Sequence, residues 1–466
     1  MLPRRRPRQP RGSVVVIVIW AIAIAAIVVA ATQVVAFRQA TMGREALSRV
    51  QARWAARAGV EESIAVLEYH ALRPDAEDVL VVYRDLEACA DGDLATGSWS
   101  IRHSEDGVEK PGPQDEGAKI NLNRITRPQL INLENMTFDV ADAIIDWRDA
   151  DNDVQGMGAE RNYYLNRDRP TPRNGNFRSF LELELVAGAW PQYVRGEDMN
   201  LNGRLDPNEN DGSVSPPDDD ADGLLDAGWS QYLTAYTTLN MMGASGEEKL
   251  YLKDASADDV KARFGLDDNQ ARALLQYAKG ANATLEALLI TDLGTLSQGG
   301  GTGGRNGSNG GRSTGRSSGN SGRGGNNQNA NNANTVKALD TNQLRLVFQE
   351  GTLDDPTKLQ PGKVNINTAS QEVLKRVLGL DSFTVDGILN MRASKSGGIT
   401  SVVDLMESNK ITPQVLAGLA TQIDTTSQVF TITSRGRSEA TGLEVEITVV
   451  VDRSTVPARI LEYREQ

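Results

Sequence analysis

MLPRRRPRQPRGSVVVIVIWAIAIAAIVVAATQVVAF, residues 1–37, is the stretch that decides the architecture. Arg4, Arg5, Arg6, Arg8 and Arg11 precede Gly12, and no charged residue falls between Val14 and Phe37. Wound as an α-helix, that run reaches roughly 36 Å, enough to cross the hydrocarbon core of a bilayer. The arginines are expected to hold the N-terminus in the cytoplasm and send the rest of the chain outward. A secretory signal peptide fits poorly, because the apolar run is too long and lacks an A-x-A site. A plain single-pass anchor fits. So does a leader cut after Gly12, which makes Ser13 the new N-terminus and keeps the helix in the mature chain. Further on, Leu47, Val50, Trp54, Ala58, Ile64 and Leu67 fall near helical spacing. The helix is therefore expected to continue beyond the membrane.

The 466 residues carry a net charge of -13, which argues against a broad nucleic-acid surface. Cys89 is the single cysteine, and the histidines are His70 and His103, in separate segments. Disulfide frameworks, zinc sites and histidine-based triads have almost no material here. Carboxylate pairs are plentiful, but no nucleophile with a base and no phosphate loop accompanies them. The acids read as structural ligands, and the chain as no enzyme.

The sequence repeats itself. Lys119-Ile120-Asn121-Leu122-Asn123 lies over Lys363-Val364-Asn365-Ile366-Asn367, an offset of 244 residues from Lys119 to Lys363. Without a gap, Leu130 then meets Leu374, Leu133 meets Val377, Asp142 meets Asp386, Ile144 meets Ile388 and Arg148 meets Arg392. Residues 255–277 form a weaker relative, with Val260, Phe264, Leu266, Ala271, Leu274 and Leu275 on helical spacing. Each unit reads as short helices joined by tight turns. Asn123 or Thr126 caps the first helix of one copy, and Asn367 or Thr368 that of the other. The pattern resembles helix-hairpin-helix (SAM-like) modules, which often bind DNA. Here the hairpins Glu134-Asn135-Met136-Thr137 and Gly379-Leu380-Asp381-Ser382 lack Gly-x-Gly and place acids where phosphates would lie. Protein packing is the expected use, with no nucleic acid among the partners.

Three acidic stretches have cation-loop spacing. Asp198, Asn200, Asn202, the Arg204 carbonyl, Asp206 and Glu209 occupy positions 1, 3, 5, 7, 9 and 12 of a twelve-residue loop with Gly203 at position 6. That spacing lets a curled loop gather six to eight oxygens around Ca2+. A second loop offers Asp218, Asp220, Asp222, the Leu224 carbonyl and Asp226, but has Trp229 at position 12. A third offers Asp149, Asp151, Asp153 and Glu160, with Val154 in place of the glycine. The competing reading of each is a solvated acidic turn.

The remaining segments complete an α+β expectation. Residues 1–12 are the basic leader, 13–37 the transmembrane helix, and 38–118 a spine with the first strands. Residues 119–296 are an inserted helical domain with the acidic loops. Residues 297–333 are a Gly/Ser/Asn linker. Residues 334–424 hold the second repeat, and 425–466 alternate as closing strands, clearest in Val429–Arg435 and Leu443–Val451. An antiparallel sheet packed on the long helix follows, with the helical repeats inserted between its strands.

Taken together, the chain resembles the type II secretion system minor pseudopilin K family, the general secretion pathway protein K. The residues carrying the resemblance are Gly12 with its apolar run, Ala56 to Glu61, Asp115 to Asn123 and Ala143 to Asp151. Gly158-Ala159-Glu160 with Tyr163-Tyr164, Val364 to Ser370 and the closing strands complete it. The resemblance implies a pilin-like fold with an inserted α-helical domain and processing between Gly12 and Ser13 by prepilin peptidase. It also implies an inner-membrane anchor, a periplasmic bulk, and assembly with other minor pseudopilins at the tip of a short pseudopilus. Pseudopilins usually carry Glu at the fifth mature position, where Ile17 stands here, and its absence fits a tip subunit. Calcium binding, also implied, falls most naturally on the Asp149–Glu160 stretch. The loops at 198–226 and the linker depart from the family. The Val364–Ser370 segment also resembles competence DNA receptors, so a membrane-anchored DNA-binding protein is the alternative. A calcium-responsive envelope protein with an ordinary anchor is a third reading.

Overall fold

The computed structural model describes residues 13–299 and 336–466. Gly12, the rest of the leader and most of the 297–333 linker lie outside them. Helix α1 (Ser13–Leu72) runs for 60 residues, about 90 Å. Residues Val14 to Leu47 are exposed throughout, and this apolar half is long enough to cross a membrane.

From Ser48 onward α1 docks on a sheet. Ser48, Ala52, Ala55, Ala56, Val60, Ser63 and Leu67 are buried at helical spacing. The larger apolar residues at helical spacing mostly lie off this stripe. Leu47, Val50 and Trp54 are half or more exposed, at 58%, 50% and 60%. The reason is close approach: a methyl group added at Gly436 of the facing strand would lie 2.0 Å from the Ala52 carbonyl oxygen. Only small side chains fit where helix and strand backbones come that near.

The sheet is antiparallel, in the order β1 (Asp91–Leu94), β2 (Gly97–Glu105), β11 (Val429–Ser438), β12 (Glu444–Asp452), β13 (Arg459–Glu465). Two short strands join it: β3 (Val108–Pro111) pairs with β2, and β4 (Gln114–Asp115) with β11. Ser434 of β11 faces Ile101 of β2, so the two ends of the chain meet in one sheet. Between them a short helix, α2 (Val81–Ala88), closes a core of Val60, Leu67, Leu86, Ile101, Phe430, Ile432, Ile447 and Val449. This is the α+β pilin-like arrangement, with everything from 116 to 428 inserted between β4 and β11.

The insertion holds three copies of one module. Each opens and closes with a two-residue parallel strand pair: β5 (Ile120–Asn121) with β6 (Leu233–Thr234), β7 (Leu250–Tyr251) with β8 (Gly351–Thr352), and β9 (Val364–Asn365) with β10 (Ile423–Asp424). In each, the hairpin turns through one left-handed residue: Asn135 (φ 58°), Gly265 (φ 65°) and Gly379 (φ 69°). Two residues later Thr137, Asp267 or Asp381 stands at the N-cap of the second helix, Phe138–Arg148, Asp268–Ala278 or Ser382–Ser394. The weak relative at 255–277 is thus a full member.

Several local expectations change. Thr126 does cap the first helix of its module, in a capping box with Gln129. Asn123 instead donates to and accepts from the Phe177 backbone, and Asn367 does the same with Ile399. Thr368 donates to Asp115, and Ser370 takes the capping role. A side chain tied to a distant segment cannot also turn back to its own helix. The helix Leu293–Gly299 runs into the start of the expected linker.

Candidate cation-binding site

The helix Phe138–Arg148 sets Asp142 and Asp146 on one face, four residues apart. Asp149 ends it, and after a loop Glu160 begins the helix Arg161–Leu165 as its N-cap. Oxygen atoms of Asp146, Asp149 and Glu160 all lie within 4.8 Å of one another. Asp146 and Glu160 are fully buried, and Asp149 half-buried.

Each of these carboxylates keeps one oxygen in use and one without a partner. Asp146 Oδ1 accepts from the Gln155 amide at 3.1 Å, Asp149 Oδ2 from Gln155 Nε2 at 2.8 Å, and Glu160 Oε2 from the Arg161 amide at 3.3 Å. Asp146 Oδ2, Asp149 Oδ1 and Glu160 Oε1 are buried and unpartnered. Burial, helped by the charges of Asp149 and Asp142, pushes the Asp146 carboxyl up to about 6. Burial raises Asp149 and Glu160 as well. The charge of Arg148 favours ionised Asp149, but the side chains of the nearby arginines make no hydrogen bond to the three carboxylates. Arg127 pairs with Asp142, and Arg148 turns away to the carbonyls of Leu122 and Ile125. Three like charges in a small buried volume disfavour their own ionisation unless a cation joins them. The loop allows the approach: a methyl at Gly158 would meet Asp146 Oδ2 at 2.2 Å.

Asp149 and Glu160 of the expected third loop are therefore brought together, and Asp146 joins them. Asp151 and Asp153 stand exposed, and Asp151 Oδ1 accepts from the Asp153 amide. Asp146 was missed because twelve-residue loop spacing starts the count at Asp149. The i, i+3 pair of acids at a helix end is the signal that points to it.

The 198–209 loop is curled with its polar side chains inward. Asp198, Asn202 and Glu209 are buried, and Asn200 and Asn202 both donate to Asp206 Oδ2, at 2.9 and 3.0 Å. Gly203 is left-handed at φ 67°. Burial pushes Asp198 up to about 6 and Glu209 up to about 7. Burial opposes ionisation of Asp206 too, but Arg435 holds it below its usual value. The Arg204 side chain donates to the Ser100 carbonyl, and Arg464 donates to the carbonyls of Asn200 and Leu201. These arginines tie the loop to the sheet from outside. In the second loop Asp218, Asp220, Asp222, Leu224 and Asp226 are all exposed. Asp220, Asp222 and Asp226 accept from amides two residues on, and Trp229 is in the core. That loop gathers no ligand set.

A membrane-length helix docked on an antiparallel sheet, with helix-hairpin-helix modules inserted, is a pilin-like α+β arrangement. Residues 111–196, which hold the three-carboxylate site, match the family model for type II secretion system protein K, first domain. That match falls on part of the chain from which the resemblance to protein K was drawn. Residues 360–424, the third module, match the helix-hairpin-helix motif. A chain in the crystal structure of the GspK-GspI-GspJ complex from the enterotoxigenic Escherichia coli type 2 secretion system aligns with this one at 13% identity and a TM-score of 0.37. The alignment covers 91% of this chain and 99% of that one. A search of curated proteins returned no match.

Proposed function

We propose that this chain is a non-enzymatic minor pseudopilin that assembles with other minor pseudopilins at the tip of a periplasmic pseudopilus and supports protein export. The observation that carries the reading is α1: an exposed apolar half continuous with a half buried against its own sheet. A helix that packs its own domain by one end leaves the other for membrane or for neighbouring helices. Ile17, at the fifth mature position, offers no carboxylate to a subunit above, which suits a tip. The chain sits in the inner membrane with its N-terminus cytoplasmic. Prepilin peptidase cuts it between Gly12 and Ser13.

Calcium belongs to this reading. Ca2+ fits the three unpartnered oxygens of Asp146, Asp149 and Glu160, since hard cations take carboxylate oxygens. The 198–209 loop is a second candidate. The DNA-binding alternative is disfavoured by Asp267 and Asp381, which accept from the amides a phosphate would need. Co-purification of the membrane-embedded chain with the other minor pseudopilins is the decisive experiment. Mass spectrometry showing an intact Met1 in a host that has the peptidase would overturn the reading.

A further inference from the structure

Strand β13 ends the sheet, and among the described residues no strand pairs with its far side. The backbones of Glu446 and Gln466 exchange both hydrogen bonds, at 3.1 and 2.9 Å. Such positions alternate along an antiparallel pair. Arg464 therefore also faces β12, while Tyr463 and Glu465 turn their N–H and C=O groups outward. Among the described residues, no hydrogen bond reaches those four groups.

The two edges of the sheet are built differently. The β1 edge is four residues long, carries Asp91 and Asp93, and has the Trp99 ring pressed on Gly92. Short, charged and covered strands resist pairing with another chain. The β13 edge is seven residues long and leaves Ile460, Leu461 and Tyr463 about half exposed. Its charged side chains are turned to their own fold: Glu462 accepts from Tyr236, Arg464 donates to the Asn200 carbonyl, and Glu465 pairs with Arg53. They do not guard the edge.

Direction narrows what can be added. Ala458, just before β13, donates to Glu68 of α1 at 2.7 Å, and Glu465 at its end pairs with Arg53. Arg53 lies about 22 Å nearer the apolar half of α1 than Glu68. β13 thus runs toward the membrane. Every pairing in this sheet is antiparallel, so β1, four strands away, runs the same way. A second copy standing upright in the same membrane has no antiparallel edge to offer. Antiparallel pairing is the stronger and commoner kind.

We propose that the β13 edge takes an antiparallel strand from a different subunit anchored in the same membrane, one whose edge strand runs away from the membrane. The inference rests on the pseudopilin reading above and names the surface through which a partner docks. Main-chain hydrogen bonds to Tyr463 and Glu465 supply the pairing, and the exposed side chains of β13 select the partner.

The test is hydrogen exchange on the full chain in lipid nanodiscs, alone and with the other minor pseudopilins of its system. Alone, the Tyr463 and Glu465 amides should exchange freely while the Arg464 amide is protected. In the complex both should slow by at least about tenfold. Tyr463→Pro removes an outward donor at a place where an edge strand tolerates proline. It should bind the partners about tenfold more weakly than Tyr463→Val, which keeps the N–H. A complex in which both amides still exchange freely would overturn the proposal and leave the pseudopilin reading standing. Equal binding by the two variants would overturn it too, as would the same protection gained from a second copy alone. Failure to form any complex would remove the reading and the proposal together. Exchange in the parent chain reports on the edge even if a variant folds poorly.

Discussion

Gly436 of β11 lies directly under Ala52 of α1: a methyl on Gly436 would stand 2.0 Å from the Ala52 carbonyl oxygen and 2.2 Å from the Ala56 amide nitrogen. Both neighbours are backbone atoms of a regular helix, so neither can swing aside. The contact sets the distance between spine and sheet.

Gly436→Ala should therefore destabilise the chain by about 1–3 kcal/mol, the usual cost of overpacking. In an ordinary strand the same change would be neutral or helpful, because alanine restricts the unfolded chain. Trp54→Ala, although it removes a far larger side chain, should stay within about 0.5 kcal/mol, since Trp54 is 60% exposed. Thermal unfolding of both variants in nanodiscs checks the pair. A larger loss at Trp54 than at Gly436 would contradict this account of the interface.

The hairpins permit a cleaner separation of backbone and steric effects. Gly265 is left-handed and has open space around it, so Gly265→Ala tests conformation alone. It should cost about 1 kcal/mol. Asn135 holds the equivalent position at φ 58°, and Asn135→Gly should be neutral or stabilising by a few tenths of a kcal/mol. A loss at Gly265 with no loss at Asn135, read from unfolding midpoints, is the expected result. A loss at both would mean the turns are not equivalent.

Much of this was legible in the sequence because it is periodic. The 244-residue offset located the first and third modules, and alternation located β11 and β12. Helical spacing carried α1 past the apolar run, but it left the buried face open, since hydrophobicity ranks Leu47 and Trp54 above Ala52 and Ala55. What selects the buried face is the closeness of Gly436, a residue far away in sequence. The second module was faint because its opening at Leu250-Tyr251 lacks the Lys-x-Asn-x-Asn of 119–123 and 363–367, although its hairpin Gly265-Leu266-Asp267 repeats Gly379-Leu380-Asp381. At the acidic site, loop spacing found Asp149 and Glu160. Asp146 belongs to a helix, where a different period governs which side chains meet.

His103 gives the chain an acid-sensitive component. Burial lowers its affinity for a proton below the ordinary value of 6.5, while its Nδ1 lies 2.8 Å from the Gly112 carbonyl. The unfolded chain then binds more protons than the folded one just below that pH, so stability rises with pH there. The contribution is present above pH 6.5 and lost as pH falls below it. His103→Gln keeps a donor for Gly112 and does not titrate. The stability difference between parent and variant should shift against the parent between about pH 6.5 and pH 5. A difference that stays flat across that range would show that His103 is not held neutral by the fold.

The two candidate cation sites predict separable binding. In the absence of a divalent ion, Asp146, Asp149 and Glu160 crowd three carboxylates into one buried volume. Ca2+ binding there adds stability by mass action, about 2.7 kcal/mol at a hundredfold excess over the dissociation constant. Calorimetry on the full chain should resolve one binding event lost in Asp146→Asn and another lost in Asp198→Ala. Asp146→Asn removes a charge from the crowded group, so without calcium it should be as stable as the parent or more so. With calcium the order should reverse, because only the parent gains the bound ion. That crossing of the two stability curves distinguishes a ligand from a carboxylate that merely packs. Asp151→Asn, on the exposed arc of the same loop, should leave both curves unchanged to within about 0.5 kcal/mol.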